Sequence, residues 1–173
     1  METASNPENK ELATQLMQQI RMFLALKHYK TDNTPAEVLE RVYIGSIGAA
    51  MSKNKLKDLG ITHVLTLIDK MNPMFPDEFV YKCVSITDSA ESDIVSEVDE
   101  CLNFIKTAVN QGGKVLVHCF AGRSRSGSVV VAYVMKESQM TYDDALKFVQ
   151  EKREVVQPNP GFEAQLRNWE LSK

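Results

Sequence analysis

Residues 114–126 read Lys114-Val115-Leu116-Val117-His118-Cys119-Phe120-Ala121-Gly122-Arg123-Ser124-Arg125-Ser126, and the apolar run Val129-Val130-Val131-Ala132 follows closely. Lys114–His118 is a short apolar segment that suits a strand buried on both faces. Ser126–Lys136 follows a glycine turn and is long for a strand, so it reads as a buried helix despite its valines. Seven residues, Cys119 to Arg125, join the two. So short a loop, between a strand end and a helix N-terminus, aims several backbone N–H groups at one point. The helix dipole adds positive potential there. Such a nest suits a tetrahedral dianion.

Two side chains make the nest reactive. Cys119 ends the strand beneath the bound anion, where electropositive surroundings favour the nucleophilic thiolate. Arg125, six residues on, offers a planar fork to two oxygens of a phosphoryl group. Gly122 permits a tight turn close to the ligand. The pattern HCxxGxxR, set between a strand and a helix, is far more specific than an isolated glycine motif. The competing reading is an inert buried cysteine in a basic turn.

Working outward, strands are expected at Val42–Ile44, Thr62–Ile68 and Phe79–Ile86. Helices are expected at about Glu11–Lys30, Ser52–Leu59, Val95–Asn110 and Phe162–Leu171, with another from a Thr141/Asp144 capping box to about Arg153. Residues 1–10 are polar and expected to fray. Strands alternating with helices indicate one α/β domain. Residues 1–33 form a polar terminus and an amphipathic N-terminal helix, and residues 34–173 the domain proper.

The 173 residues suit a single domain, and 43% hydrophobic with 25% charged is ordinary for a globular chain. A net charge of −3 argues against a general nucleic-acid binder. Three cysteines without a CxxC pair disfavour structural zinc and a disulfide framework, and imply a reducing compartment. The N-terminus lacks a signal-peptide pattern, and no apolar run is long enough to span a membrane.

A thiolate attacking a phosphate ester needs a proton donor for the leaving oxygen, which arginine cannot supply. The loop after Phe79–Ile86 holds three candidates: Asp88, Glu91 and Asp93. Asp88 is favoured, because it sits at the strand end and a neighbouring strand would present it beside Cys119. Asp93 reads equally well as a helix N-terminal charge.

From about Pro35 to Glu170 the sequence resembles the small dual-specificity phosphatases of the protein tyrosine phosphatase superfamily, and most of all plant-type MAP-kinase phosphatases. The matching pieces include Tyr43-Ile44-Gly45-Ser46, Ile61-Thr62-His63-Val64-Leu65, Asp88 with Asp93-Ile94, His118 through Ser126, and Pro158-Asn159-x-Gly161-Phe162. The resemblance implies a central mixed, largely parallel sheet of about five strands flanked by helices, with an added N-terminal helix. It places Asp88, 31 residues before Cys119, at the general-acid position.

It further implies two-step hydrolysis of phosphotyrosine and phosphoserine or phosphothreonine through a phosphocysteine, with MAP kinases among the expected substrates, in the cytoplasm or nucleus. Ser126 would assist the departing thiolate, besides its plain reading as a helix cap. His118 would orient the loop formed by Cys119, Phe120, Ala121, Gly122, Arg123, Ser124 and Arg125. No metal or cofactor is expected, since Arg125 and the loop amides neutralise the phosphate. Phe120 replaces a lysine of phosphoinositide-directed relatives. Arg123 either favours very acidic substrates or is simply solvated.

The segment Gln15–Lys30 is basic and amphipathic. Its plain reading is packing on the domain; the others are a calmodulin target or an anionic membrane surface. Cys83 and Cys101 read as buried inert thiols. His28 and His63 read as structural or surface residues, and Phe162 and Trp169 as core. Other classes remain: a phosphoprotein-docking module, a sulfur-transfer enzyme, or an enzyme for a non-protein phosphate ester.

Overall fold

Strands that are apolar on both faces can only be buried between two layers. In the computed structural model, which describes residues 7–171, the sheet has five strands: β1 (Ala36–Leu39), β2 (Val42–Gly45), β3 (His63–Leu67), β4 (Val80–Val84) and β5 (Val115–His118). Their order is β1-β2-β5-β3-β4. β5 lies at the centre, parallel to β2 and β3, and only the β1–β2 edge pair is antiparallel. The register sets Tyr43 and Val64 beside Leu116 on one face, and Ile44 and Leu65 beside Val117 on the other.

The short helices α2 (Ile47–Met51) and α3 (Lys53–Asp58) cover the first face, where Tyr43, Leu56, Val64, Phe79 and Leu116 pack together. The second face carries the larger core and is covered by α4 (Val95–Asn110), α5 (Arg125–Ser138), α6 (Tyr142–Lys152) and α7 (Pro160–Leu171). Every residue of α5 from Ser126 to Met135 is buried, so it has no polar stripe. Thr141 Oγ1 accepts the Asp144 N–H and starts α6 as its sequence foretells. Phe162 and Trp169 lie in the core.

The sequence reading missed β1 and α2, which are four and five residues long, too short to show a periodicity. It also misjudged the N-terminus. α1 (Pro7–Thr31) is already helical over residues 7–10; the rest of the fraying expectation, residues 1–6, lies outside the described residues. Nor does α1 pack on the domain along its length. Leu12, Leu16 and Phe23 are 65%, 55% and 70% exposed, and contact with the domain concentrates at the last turns against α2. Cys83 is exposed rather than buried, because β4 is an edge strand and its partial cover leaves that side chain in solvent. Cys101 is buried, and burial pushes its thiol up to about 12, so it is inert.

The junction of α1 and α2 is made by Gly48, where a Cβ would stand 2.4 Å from the His28 backbone carbonyl. A backbone clash of that kind has no rotamer escape. Gly48→Ala should therefore unseat α1 while the sheet stays intact. Limited proteolysis would show faster cleavage in residues 7–31, against an unchanged core fragment.

Candidate active site

Because β2, β3, β4 and β5 are parallel, their C-terminal ends share one edge of the sheet, where ligands of such sheets bind. The loop 119–125 leaves β5 there, and its carbonyls are all drawn outward. Phe120 O accepts from Ile47 N at 3.0 Å, and Arg123 O from Gln157 N at 3.1 Å. Arg153 takes two more, donating from Nη2 to Ala121 O at 3.2 Å and from Nε to Gly122 O at 3.0 Å. Ser124 O accepts from Ser128 N and Oγ, both at 2.8 Å. The backbone N–H groups of Phe120 to Arg125 meet no acceptor among the described residues and remain available to an anion. Gly122 sits at φ +65°, and a Cβ there would fall 2.6 Å from the Gly45 carbonyl. Only glycine fits this turn.

Beneath the loop, Cys119 is buried and Ser126 Oγ donates to its Sγ at 3.2 Å. His118 is fully buried, and burial pushes its imidazole down to about 4, so it is neutral at pH 7. Its Nδ1 faces Cys119 O at 3.4 Å and its Nε2 faces Thr66 Oγ1 at 2.9 Å. A carbonyl can only accept, so Nδ1 carries the proton and Nε2 accepts the threonine hydroxyl. His118 thus fixes the Cys119 carbonyl and holds no proton to spare.

Asp88 lies at the rim. β3 stands between β4 and β5, so the loop after β4 must pass over the end of β3 to bring Asp88 across, rather than arriving on an adjacent strand. There Asp88 Oδ1 accepts from Ser124 Oγ at 2.6 Å and from Asn159 Nδ2 at 2.9 Å. Its Oδ2 is 3.7 Å from Arg125 Nε. Arg125 donates to Ile86 O at 3.3 Å, while its buried Nε makes no hydrogen bond. A buried guanidinium N–H without an acceptor beside an empty-handed amide nest is the donor set of an oxyanion site.

The other candidates are placed elsewhere. Asp93 Oδ1 accepts from Ser96 N at 3.0 Å and serves the start of α4. Glu91 is exposed and held by the Ser89 hydroxyl. Arg123 is exposed and donates to Gln157 Oε1 outside the nest.

The sequence reading overlooked the framework: Thr66, Asn159, Arg153 and Asp32. Asp32 accepts from Arg153 Nη1 at 3.1 Å and Nη2 at 2.6 Å. Burial pushes the Asp32 carboxyl up, but the Arg153 fork outweighs it and holds the group below its ordinary range. His28, read as structural or surface, stacks edge-on against Phe120 with ring centroids 5.5 Å apart. The only sequence signal for any of these was the turn Pro158-Asn159, whose role as a carboxylate anchor has no local signature.

Fold and cradle together define the class as cysteine-based phosphatases. Within that class the chain belongs to the dual specificity phosphatases: residues 42–172 match the family described as dual specificity phosphatase, catalytic domain. It is similar to dual specificity protein phosphatase 1 of Arabidopsis thaliana, 43% identical over 164 residues, spanning 95% of this chain and 83% of that protein. It is also similar to a Dictyostelium discoideum MAP kinase phosphatase with leucine-rich repeats, 39% identical over 79% of this chain but only 16% of that protein. Among solved structures, a human tyrosine phosphatase-like serine/threonine/tyrosine-interacting protein superposes with a TM-score of 0.78 at 33% identity. That alignment covers 81% of this chain and 97% of the other. The chain is a protein phosphatase, and none of its described helices is long and apolar enough to cross a membrane.

His118 also makes stability depend on pH. Its folded value, about 4, lies below the ordinary 6.5, so between these the unfolded chain binds more protons and stability falls as pH drops. Urea midpoints should decline from pH 6.5 toward 4 and stay level above 6.5 in respect of this group. In His118→Gln that part of the decline should disappear.

Proposed function

We propose that this phosphatase hydrolyses phosphotyrosine and phosphoserine or phosphothreonine in proteins, MAP kinases among them, through a phosphocysteine. The outward hold on every carbonyl of the loop carries this reading, because it leaves the amides and the Arg125 fork to an equatorial array of phosphoryl oxygens. In the first step the Cys119 thiolate attacks phosphorus and the ester P–O bond breaks. Asp88, as the acid, gives its proton to the departing oxygen. In the second, Asp88 as carboxylate takes a proton from water, whose oxygen attacks phosphorus. The P–S bond breaks and phosphate leaves. Ser126, already donating to Sγ, stabilises the departing thiolate. His118 positions the loop.

MAP kinases enter through the name of the Dictyostelium relative. The likeness to a phosphatase-like interacting protein supports one other reading, a docking module that binds phosphoprotein without turnover. Cys119, Asp88 and Arg125 together favour hydrolysis. We further propose that residues 34–173 form the catalytic domain, with 1–33 as its N-terminal appendage. Its exposed Leu16, Met17, Ile20 and Phe23, alongside Lys27 and Lys30, suit calcium-loaded calmodulin through Gln15–Lys30. A thiol nucleophile and three free cysteines suit the reducing cytoplasm or nucleus.

Hydrolysis of an aryl phosphate in EDTA tests the mechanism. Activity should persist in EDTA and vanish in Cys119→Ser. In Asp88→Asn it should fall on the order of 10²–10⁴-fold. Ser126→Ala should show a burst followed by slow turnover, with phosphocysteine trapped by acid quench. Full activity in Cys119→Ser would overturn the chemistry, and an inactive wild type that binds phosphopeptide would indicate the docking module. Titration with calcium-loaded calmodulin should give a saturable complex that is lost in Phe23→Glu; no binding would dispose of that partner.

A further inference from the structure

Phe120 and Arg125 of the loop help to line a cavity of about 610 Å³, within the range of ligand clefts. Asp88 lines it as well. The remaining walls are largely apolar and come from four separate places: Met22 and Leu24 of α1, Ile47 of α2, Ile68 and Met71 after β3, and Phe120 of the loop itself. Asp69 and Lys70, of opposite charge, also face it, so the walls favour neither sign.

Met22 and Leu24 are 68% and 38% exposed, apolar side chains that the core does not use. Their position is nonetheless fixed relative to Cys119. His28, one turn beyond Leu24, stacks on Phe120, and Asp32 is clamped by Arg153, which also holds Ala121 and Gly122. The N-terminal helix is thereby tied to the phosphate loop and stands as an apolar wall at its mouth.

We propose that this cleft selects protein substrates carrying an apolar side chain beside the phosphorylated residue, with Met22 and Leu24 as specificity-determining residues. The inference rests on the phosphatase reading above. The occupant follows from continuity: Arg125, Asp88 and Phe120 line the same cavity as Met22 and Leu24, so whatever presents a phosphoryl group to Arg125 lays its neighbouring residues against these walls. A flanking leucine would shed water there, whereas a flanking aspartate would lose hydration without gaining a cation beyond Lys70.

The test compares two phosphotyrosine peptides that differ only in having Leu or Asp at the positions on either side. Wild-type enzyme should favour the Leu peptide by about tenfold or more in kcat/KM. Met22→Glu and Leu24→Glu, each measured separately, should bring that ratio toward one, and Leu12→Glu, away from the cleft, should leave it in place. Both peptides are turned over by the same variant, so the ratio cancels any change in the phosphoryl-transfer step or in the folded fraction. A wild-type ratio of one or less, or a ratio that survives both cleft substitutions, overturns the proposal. Faster turnover of detergent-dispersed phosphatidate than of the Leu peptide would assign the cleft to a lipid chain and overturn it too. Wild-type aryl phosphate hydrolysis is run alongside: its absence would sink the phosphatase reading itself, whereas its presence with no peptide preference sinks only this inference.

Discussion

A peptide carbonyl and a phosphate oxygen repel each other, so an amide nest works only if its carbonyls point elsewhere and are satisfied there. The rest of this structure depends on that constraint. Five successive carbonyls, Phe120 to Ser124, are taken by partners from four directions: Ile47 at the start of α2, Arg153 after α6, Gln157 before α7, and Ser128 within α5. Each partner can arrive only if the parallel sheet sets β2 beside β5 and the helices close over the opposite face. Gly122 completes the turn, because any side chain would strike Gly45 and Arg153.

Arg153 joins two jobs that would otherwise be separate. Its guanidinium donates to two loop carbonyls and to both oxygens of Asp32. A cation buried against carbonyls alone would be costly; the Asp32 carboxylate neutralises it and recovers its hydrogen bonds. Asp32 also marks the end of α1, so the neutralising charge tethers the N-terminal helix to the loop. This explains how a helix with little apolar contact along its length keeps a defined position. It is held by a partly buried ion pair, a ring contact and a glycine-sized junction at one end.

Much of the site could be read in the chain because it is local. Strand, cysteine, glycine, arginine and helix follow one another within thirteen residues, and both the nest and the dipole arise from that stretch alone. Asp88 was reached by position at a strand end, although the structure brings it across β3 rather than from an adjacent strand. Cys83 was misjudged because alternation along a strand does not reveal which strand is the edge. α1 was misjudged because an apolar stripe of helical spacing looks the same whether a core or solvent faces it.

The sequence by itself determined the α/β alternation, the long helices and the short Cys119–Arg125 loop between a buried strand and a buried helix. Each of these rests on contacts between residues near in the chain, where propensity, periodicity and spacing suffice. Only the tertiary structure decided that Asn159 anchors Asp88, that Thr66 sets the His118 tautomer, that Arg153 and Asp32 brace the loop, and that Met22 and Leu24 wall its mouth. Those pairs lie far apart in sequence, from 31 residues for Gly122 and Arg153 to 121 for Asp32 and Arg153. Their meeting is set by strand order and helix packing, which no local pattern of residues encodes.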